Sequence, residues 1–161
     1  MRFPASVVLM QLLQYLGRPL KSDDVIELIT DHEMEIIYNI DTLHENIADS
    51  YSARSVSGGF ELLFDEGQIL NTVFCFLTSI NGAGTIDPSK IGAPLYSTIE
   101  EARLGAQSLA ASFEMRENVK VPLLRQQVSW AKLGFHDHWR HYQYSSHGLE
   151  RVSLTFRASS D

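Results

Sequence analysis

A cluster of histidines near the end of the chain is the group of residues with the most obvious chemistry. His136, His138 and His141 stand close together, with Asp137 among them. Imidazole and carboxylate groups are zinc ligands, so these residue types suit a metal site. In an extended strand His136 and His138 would share one face, whereas His141 would point to the other face unless a bulge intervened. The alternative interpretation is a hairpin packed through its aromatic residues, with the histidines as polar positions on its solvated face.

A second group is the acidic stretch between Ser22 and Glu66. It contains twelve acidic residues and one base, Arg54, whereas the formal net charge of the whole chain is −7. The rest of the chain is therefore net positive. A one-sided field of this kind repels nucleic-acid phosphates and anionic lipids and steers a basic protein towards it. The stretch predicts a basic protein partner, with no nucleic acid and no membrane, and the alternative is an acidic face that only keeps the protein in solution.

Five acids of this stretch are the predicted partner contacts. Asp41, Glu45 and Asp49 are spaced by four residues, so they would share one helical face or one exposed loop, with no nearby base to neutralise them. Asp65 and Glu66 complete the set, although adjacent acids in a turn are more often structural.

Sequence motifs for covalent catalysis and for nucleotide binding are missing. The chain has no G-x-S-x-G, and its single cysteine, Cys75, lies in an apolar strand pattern where a thiolate would be poorly stabilised. Gly82, Ala83 and Gly84 lack the strand-to-helix context of a phosphate-binding loop. We therefore predict a binding protein that is not an enzyme and uses no cofactor. The alternative function is a small metal-dependent enzyme or metal-binding protein that uses the histidine cluster.

The elements that would position these groups follow from hydrophobic spacing and turn residues. The patterns predict helices over residues 4–16, 22–30 and 97–111, the last opened by a capping box at Ser97 and Thr98. They predict strands over residues 33–40, 60–64, 69–77, 127–133, 141–144 and 151–156, with a loop over 41–59. Helices set apart from hairpins predict one α+β domain spanning residues 1–161. Its sheet is mostly antiparallel, with two N-terminal helices and one mid-chain helix packed on one face.

The cellular compartment follows from the cysteine content and from the apolar runs. A lone Cys75 fits a reducing compartment, and no run reaches the roughly 20 apolar residues of a membrane span. The apolar start of the chain has no small-residue cleavage site behind it, so it reads as a core helix. We predict a cytoplasmic protein. The buried-looking strand over residues 69–77, together with an exposed sheet edge, would support a homodimer.

Four segments carry a resemblance to a family. They are LGRPLKSDDVIELI, GGFELLFDEGQILNTVFCFL, APLYSTIEEARLGA and WAKLGFHDHWRHYQYSSHGLERVSL, which together cover much of the chain. In their order and patterning they resemble bacterial immunity proteins, which are found beside polymorphic and contact-delivered toxins. The resemblance implies a cytoplasmic protein without catalytic activity that binds one cognate toxin tightly. A nuclease toxin must bind phosphates and so tends to be basic, which agrees with the acidic stretch.

Overall fold

The computed structural model describes residues 10–39, 50–65, 67–79, 82–121 and 126–158. Two α-helices lie in this part of the chain, α1 (Asp23–Asp31) and α2 (Ile99–Ser108). Short 3₁₀ helices cover Leu12–Tyr15 and Pro88–Lys90. The strands are β1 (Glu35–Asn39), β2 (Ser50–Ser55), β3 (Phe60–Phe64), β4 (Leu70–Phe76), β5 (Ser112–Val121), β6 (Gln126–Gly134), β7 (His138–Ser145) and β8 (Gly148–Phe156).

The eight strands form one sheet in the order β1-β2-β3-β4-β8-β7-β6-β5. Every neighbouring pair is antiparallel, so β1–β4 and β5–β8 are two meanders that meet where β4 pairs with β8. The helix α2 lies in the connection between the meanders. This arrangement confirms the predicted α+β class and the mostly antiparallel sheet. The strand β4 is paired on both sides, and the outermost strands of the described sheet are β1 and β5.

One face of the sheet, the inner face, carries the hydrophobic core. Leu62, Val73, Val152 and Leu133 are fully buried there, one each from β3, β4, β8 and β6. Both α-helices bury residues in the same core cluster, and α2 contacts β5 and β6. On β7 the hydroxyl of Tyr142 donates to the carbonyl of Pro94 at 2.8 Å, which ties the loop before α2 to the inner face.

The predicted helix over residues 4–16 is not confirmed in the part that the structure describes. Residues 4–9 lie outside the described residues, Gln11 is extended, and only the 3₁₀ helix Leu12–Tyr15 follows. The backbone N–H of Leu13 donates to Ile91 at 3.0 Å, and that of Gly17 donates to Leu70 at 2.9 Å. These backbone groups therefore bond across the fold instead of along a helix. The described residues contain two α-helices where three helices were predicted.

Two strands escaped prediction because their residue types are atypical of a sheet. The strand β2 lies within the predicted loop over residues 41–59, and it packs inward through the small residues Ala53 and Ser55. The edge strand β5 is polar, and a register shift between Arg116 and Val119 breaks its alternation. The helix α2 ends at Ser108, short of the predicted 111, and Ala110 then takes a positive φ of 54°. Neither α-helix of the described segments has the length and apolar content to cross a bilayer.

Candidate functional site

A cleft of about 440 Å³ opens between α1, the 3₁₀ helix Leu12–Tyr15 and the start of β3. We call it the acidic cleft, and its lining residues are Met10, Leu12, Tyr15, Asp24, Glu27, Leu28, Asp31, His32, Phe60 and Lys90. Its volume lies within the range of small binding pockets.

The floor of the acidic cleft is apolar and belongs to the core. Leu12, Leu28 and Phe60 are 3%, 7% and 2% exposed. They come from three separate parts of the chain, so only the folded protein brings them together. On α1 the buried stripe of Val25, Leu28 and Ile29 points to the core. This packing orients the neighbouring stripe of the helix towards the cleft.

Three carboxylates from that neighbouring stripe form the rim. Asp24, Glu27 and Asp31 are spaced by three and four residues, so they share one side of α1. Asp24 forms an ion pair with Arg18, whose Nε donates to the carbonyl of Gln14 at 3.0 Å. Within the part of the chain that the structure describes, Glu27 and Asp31 have no ion-pair partner. Two of the three rim carboxylates are therefore free to bind a cation.

The phenol of Tyr15 reports the field inside the cleft. Burial raises the pKa of Tyr15, and the nearby charges of Asp24 and Glu27 raise it further, against the opposing effect of Arg18. A negative field therefore reaches the cleft interior, where cations are favoured.

Two of the rim carboxylates, Glu27 and Asp31, cost helix stability. Glu27 is four residues from both Asp23 and Asp31, and like charges at that spacing destabilise a helix. Asp23 lies at the helix start, where the macrodipole favours a negative charge, but Asp31 is the last helical residue, where it is unfavourable. The last turn of α1 contains no basic residue to compensate. Helix stability thus gives no reason for an acid at position 31.

Two other polar residues complete the cleft. The His32 ring lies edge-on to Phe60 at 5.1 Å between centroids, and its Nδ1 lies 3.0 Å from the carbonyl of Leu28. Lys90 is exposed at the end of the second 3₁₀ helix. The arrangement suits a long cationic side chain that lays its apolar stem on the floor and places its head group against Glu27 and Asp31.

Most of the predicted partner contacts fall outside the described residues, namely Asp41, Glu45, Asp49 and Glu66. Asp65 is described, and its Oδ1 accepts hydrogen bonds from the N–H groups of Gly67 at 3.0 Å and Ile69 at 3.1 Å. This carboxylate thus holds the turn between β3 and β4. The α1 acids belong to the acidic stretch, but none of them is among the five predicted partner contacts. Their spacing beside the buried stripe of α1 was the available signal.

The histidines of the alternative metal-binding interpretation do not converge. His138 is buried, and its Nδ1 lies 2.6 Å from Asp137 Oδ1 while its Nε2 accepts from Arg140 Nε at 3.0 Å. Both ring nitrogens are therefore engaged. His141 lies on the other face of the sheet, where Lys132 and Ser153 are its cross-strand neighbours. His136 is exposed. The described residues include no group of three or more His, Cys, Asp or Glu side chains that could hold a metal ion.

Comparisons with protein-family models, with curated proteins and with solved structures give no match for this chain.

Proposed function

We propose that this chain is an acidic inhibitor of the immunity type, which binds a basic protein toxin through the acidic cleft. The observation that carries the proposal is the pairing of a buried apolar floor with two carboxylates, Glu27 and Asp31, that have no ion-pair partner in the described chain and destabilise their own helix. Natural proteins accept such costs at binding sites more readily than elsewhere.

The proposed contact is a lysine or arginine of the toxin inserted in the acidic cleft. Its methylene stem would cover Leu12, Leu28 and Phe60, and its head group would bind Glu27 and Asp31. Removing one partner of a desolvated charge pair typically costs about 2–5 kcal/mol of binding. The remaining acids of the stretch, including Asp41, Glu45 and Asp49, would extend the field that steers the toxin to the cleft.

A role in binding also agrees with the state of the nucleophilic side chains. Cys75 is fully buried on β4, and burial raises its pKa to about 12, so it is a neutral thiol at physiological pH. Burial also raises the pKa of Tyr142 and Tyr144, whose hydroxyls donate to backbone carbonyls of the loop before α2. These groups act in packing and hydrogen bonding.

The test combines gene context with a charge-matched pair of variants. The neighbouring reading frame should encode a larger protein with a C-terminal toxin domain, and that domain supplies the binding partner. We expect the double variant Glu27→Gln and Asp31→Asn to lose at least about thirtyfold in affinity for it. The control, Glu114→Gln with Glu117→Gln on the exposed edge strand β5, removes the same charge and should lose less than about threefold.

Two outcomes would overturn the proposal. One is a neighbouring gene of metabolic function with no toxin domain. The other is an equal loss of affinity in the cleft variant and in the β5 control, which would show that only net charge matters. Thermal unfolding of both double variants verifies that the fold is intact.

A further inference from the structure

The face of the sheet opposite to the core, the outer face, carries cations and aromatic rings. Strand register places Phe74, Ser153, His141 and Lys132 in one row across β4, β8, β7 and β6. Trp139 lies beside Thr155 in the next row. These side chains surround a shallow cavity of about 330 Å³, which we call the cationic pocket. Among the described residues, no aspartate or glutamate lines it.

Some hydrogen-bond donors in the cationic pocket have no acceptor among the described residues. Lys132 and Arg151 form no ion pair with any described acid. Arg151 Nη2 donates to Gln143 at 2.9 Å, but its buried Nε has no partner in the described chain. Ser153 is 6% exposed, and no described residue accepts a hydrogen bond from its hydroxyl. The pocket therefore offers two cations and a free hydroxyl to one ligand.

Aromatic rings hold the cations in place. Lys132 Nζ lies 4.2 Å from the ring centroid of Trp139, Arg157 Cζ lies 4.5 Å from the same ring, and Arg151 Cζ lies 5.5 Å from that of Phe74. The ring of Trp139 fills the space beside Gly134, where a Cβ atom would collide with it. Such fixed cations lose little freedom when an anion binds, which favours affinity.

His141 shows that the field in the pocket is positive. Burial and, to a smaller extent, the charges of Arg151 and Lys132 together lower the pKa of His141 to about 4. Its imidazole is therefore neutral at physiological pH and adds a hydrogen-bonding group without adding charge.

We propose that the cationic pocket binds a small phosphate monoester whose organic group is planar or apolar. A phosphate monoester carries close to two negative charges at neutral pH, which matches Lys132 and Arg151, whereas a single carboxylate would leave one cation unmatched. Its three terminal oxygens can accept from these cations and from Ser153. The organic group would lie against the exposed parts of Trp139 and Phe74.

The acids at the ends of the row favour a small ligand over a nucleic acid strand. Glu61 neighbours Phe74 on one side, and Glu114 neighbours Lys132 on the other. Five strand spacings separate these two acids, which is roughly 24 Å. A polyanion lying across the strands would meet both carboxylates, but a single phosphate feels mainly the cations within a Debye length.

The test uses phenyl phosphate as the probe, at pH 7.5 and low salt, by calorimetry and by the two tryptophan indole signals in NMR. It needs no toxin, so its result is independent of the proposed function. We expect one site, a shift of the Trp139 signal, and a loss of roughly tenfold or more for Lys132→Gln. The variant Ser153→Ala changes little volume and should lose about threefold to fivefold.

The control Arg103→Gln removes a charge from the exposed surface of α2, where Arg103 pairs with Glu100 at 3.4 Å, and should change affinity less than about twofold. Absence of binding, or an equal loss in Arg103→Gln, would overturn the site. Tighter binding of benzoate than of phenyl phosphate would overturn the phosphate assignment. Tighter binding of a single-stranded oligonucleotide would overturn the assignment to a small ligand.

Discussion

The acidic cleft and the cationic pocket carry opposite charges, and they differ in how the charged side chains are held. In the cleft, Glu27 and Asp31 project from a short helix, repel each other and have no described ion-pair partner. In the pocket, Lys132 and Arg151 are packed against aromatic rings and set by the register of paired strands. The cleft charges can therefore be removed without loss of packing, whereas the pocket charges are part of the packing. The first design suits long-range steering of a large partner, and the second suits short-range recognition of a small anion.

The largest expected effect tests whether the cationic pocket is part of the packed fold. The change Trp139→Ala removes the ring that contacts Lys132 and Arg157 and fills the space beside Gly134. We expect it to lower the free energy of unfolding by about 2–4 kcal/mol, measured by urea denaturation. The change Trp139→Phe keeps a ring and should lose less than half of that. A loss under about 1 kcal/mol for the alanine variant would show that the cationic pocket, like the acidic cleft, is not part of the packing that stabilises the fold.

A smaller effect separates steering from direct contact in the acidic stretch. The triple change Asp41→Asn, Glu45→Gln and Asp49→Asn should slow association with the toxin and flatten its salt dependence. We expect a loss of affinity near tenfold, about 1.4 kcal/mol, with the dissociation rate almost unchanged. Stopped-flow rates at two salt concentrations give the measurement. If the dissociation rate rises instead, these acids are direct contacts, and the interface extends beyond the acidic cleft. Unchanged affinity with an intact fold would show that the three acids are only a solvated face.

Acid pH should lower the free energy of unfolding through two histidines, His141 in the cationic pocket and His138. The folded-state pKa of His141 is about 4, below the ordinary value of 6.5, so the unfolded chain binds a proton more readily. The contribution of His141 to the free energy of unfolding is therefore fully present above pH 6.5 and is lost as the pH falls towards 4. Burial also lowers the pKa of His138, which acts in the same direction. With partial exposure of His141 taken into account, we expect a loss of about 1 kcal/mol between pH 7.5 and 5.

The variant His141→Gln separates the contribution of His141 from that of His138. It should reduce the pH dependence of the thermal midpoint between pH 7.5 and 5, because the variant removes the imidazole of His141 and keeps the contact of His138 with Asp137. Equal slopes in wild type and in His141→Gln would refute the assignment.

Local signals in the sequence predicted the elements whose hydrogen bonds lie between residues that are close in the chain. The hairpin of β3 and β4 follows from alternating Phe60, Leu62 and Phe64 and from the turn that Asp65 holds. The 3₁₀ segment Leu12–Tyr15 carries helical spacing, yet its backbone bonds to Ile91, which no local pattern contains. Tertiary hydrogen bonds therefore decided the conformation there.

The two sites were predictable only in part, for a related reason. The rim acids of the cleft show their spacing within one helix, but the floor joins Leu12, Leu28 and Phe60 from distant parts of the chain. The cationic pocket depends on strand register, since a one-residue slip would turn Lys132 to the core face. The sequence alone places Lys132 and Arg151 on strands. It does not show that β7 lies between these two strands and brings their side chains to one face.

The smallest expected effect is an increase in stability, and it tests the comparison most directly. The change Asp31→Asn removes an acid from the C-terminal end of α1, where it opposes the helix dipole and repels Glu27. We expect a gain of about 0.3–1 kcal/mol in the free energy of unfolding, together with weaker binding of the toxin. The matched control is Asp23→Asn, which removes the same charge from the other end of the helix, where the dipole favours it; because this change also relieves a repulsion with Glu27, it should lose a smaller amount. Because both variants change the net charge equally, opposite signs in urea denaturation can come only from position along α1. Loss of stability in both variants would mean that Asp31 supports the fold, and the acidic cleft would then no longer differ from the cationic pocket in its coupling to stability.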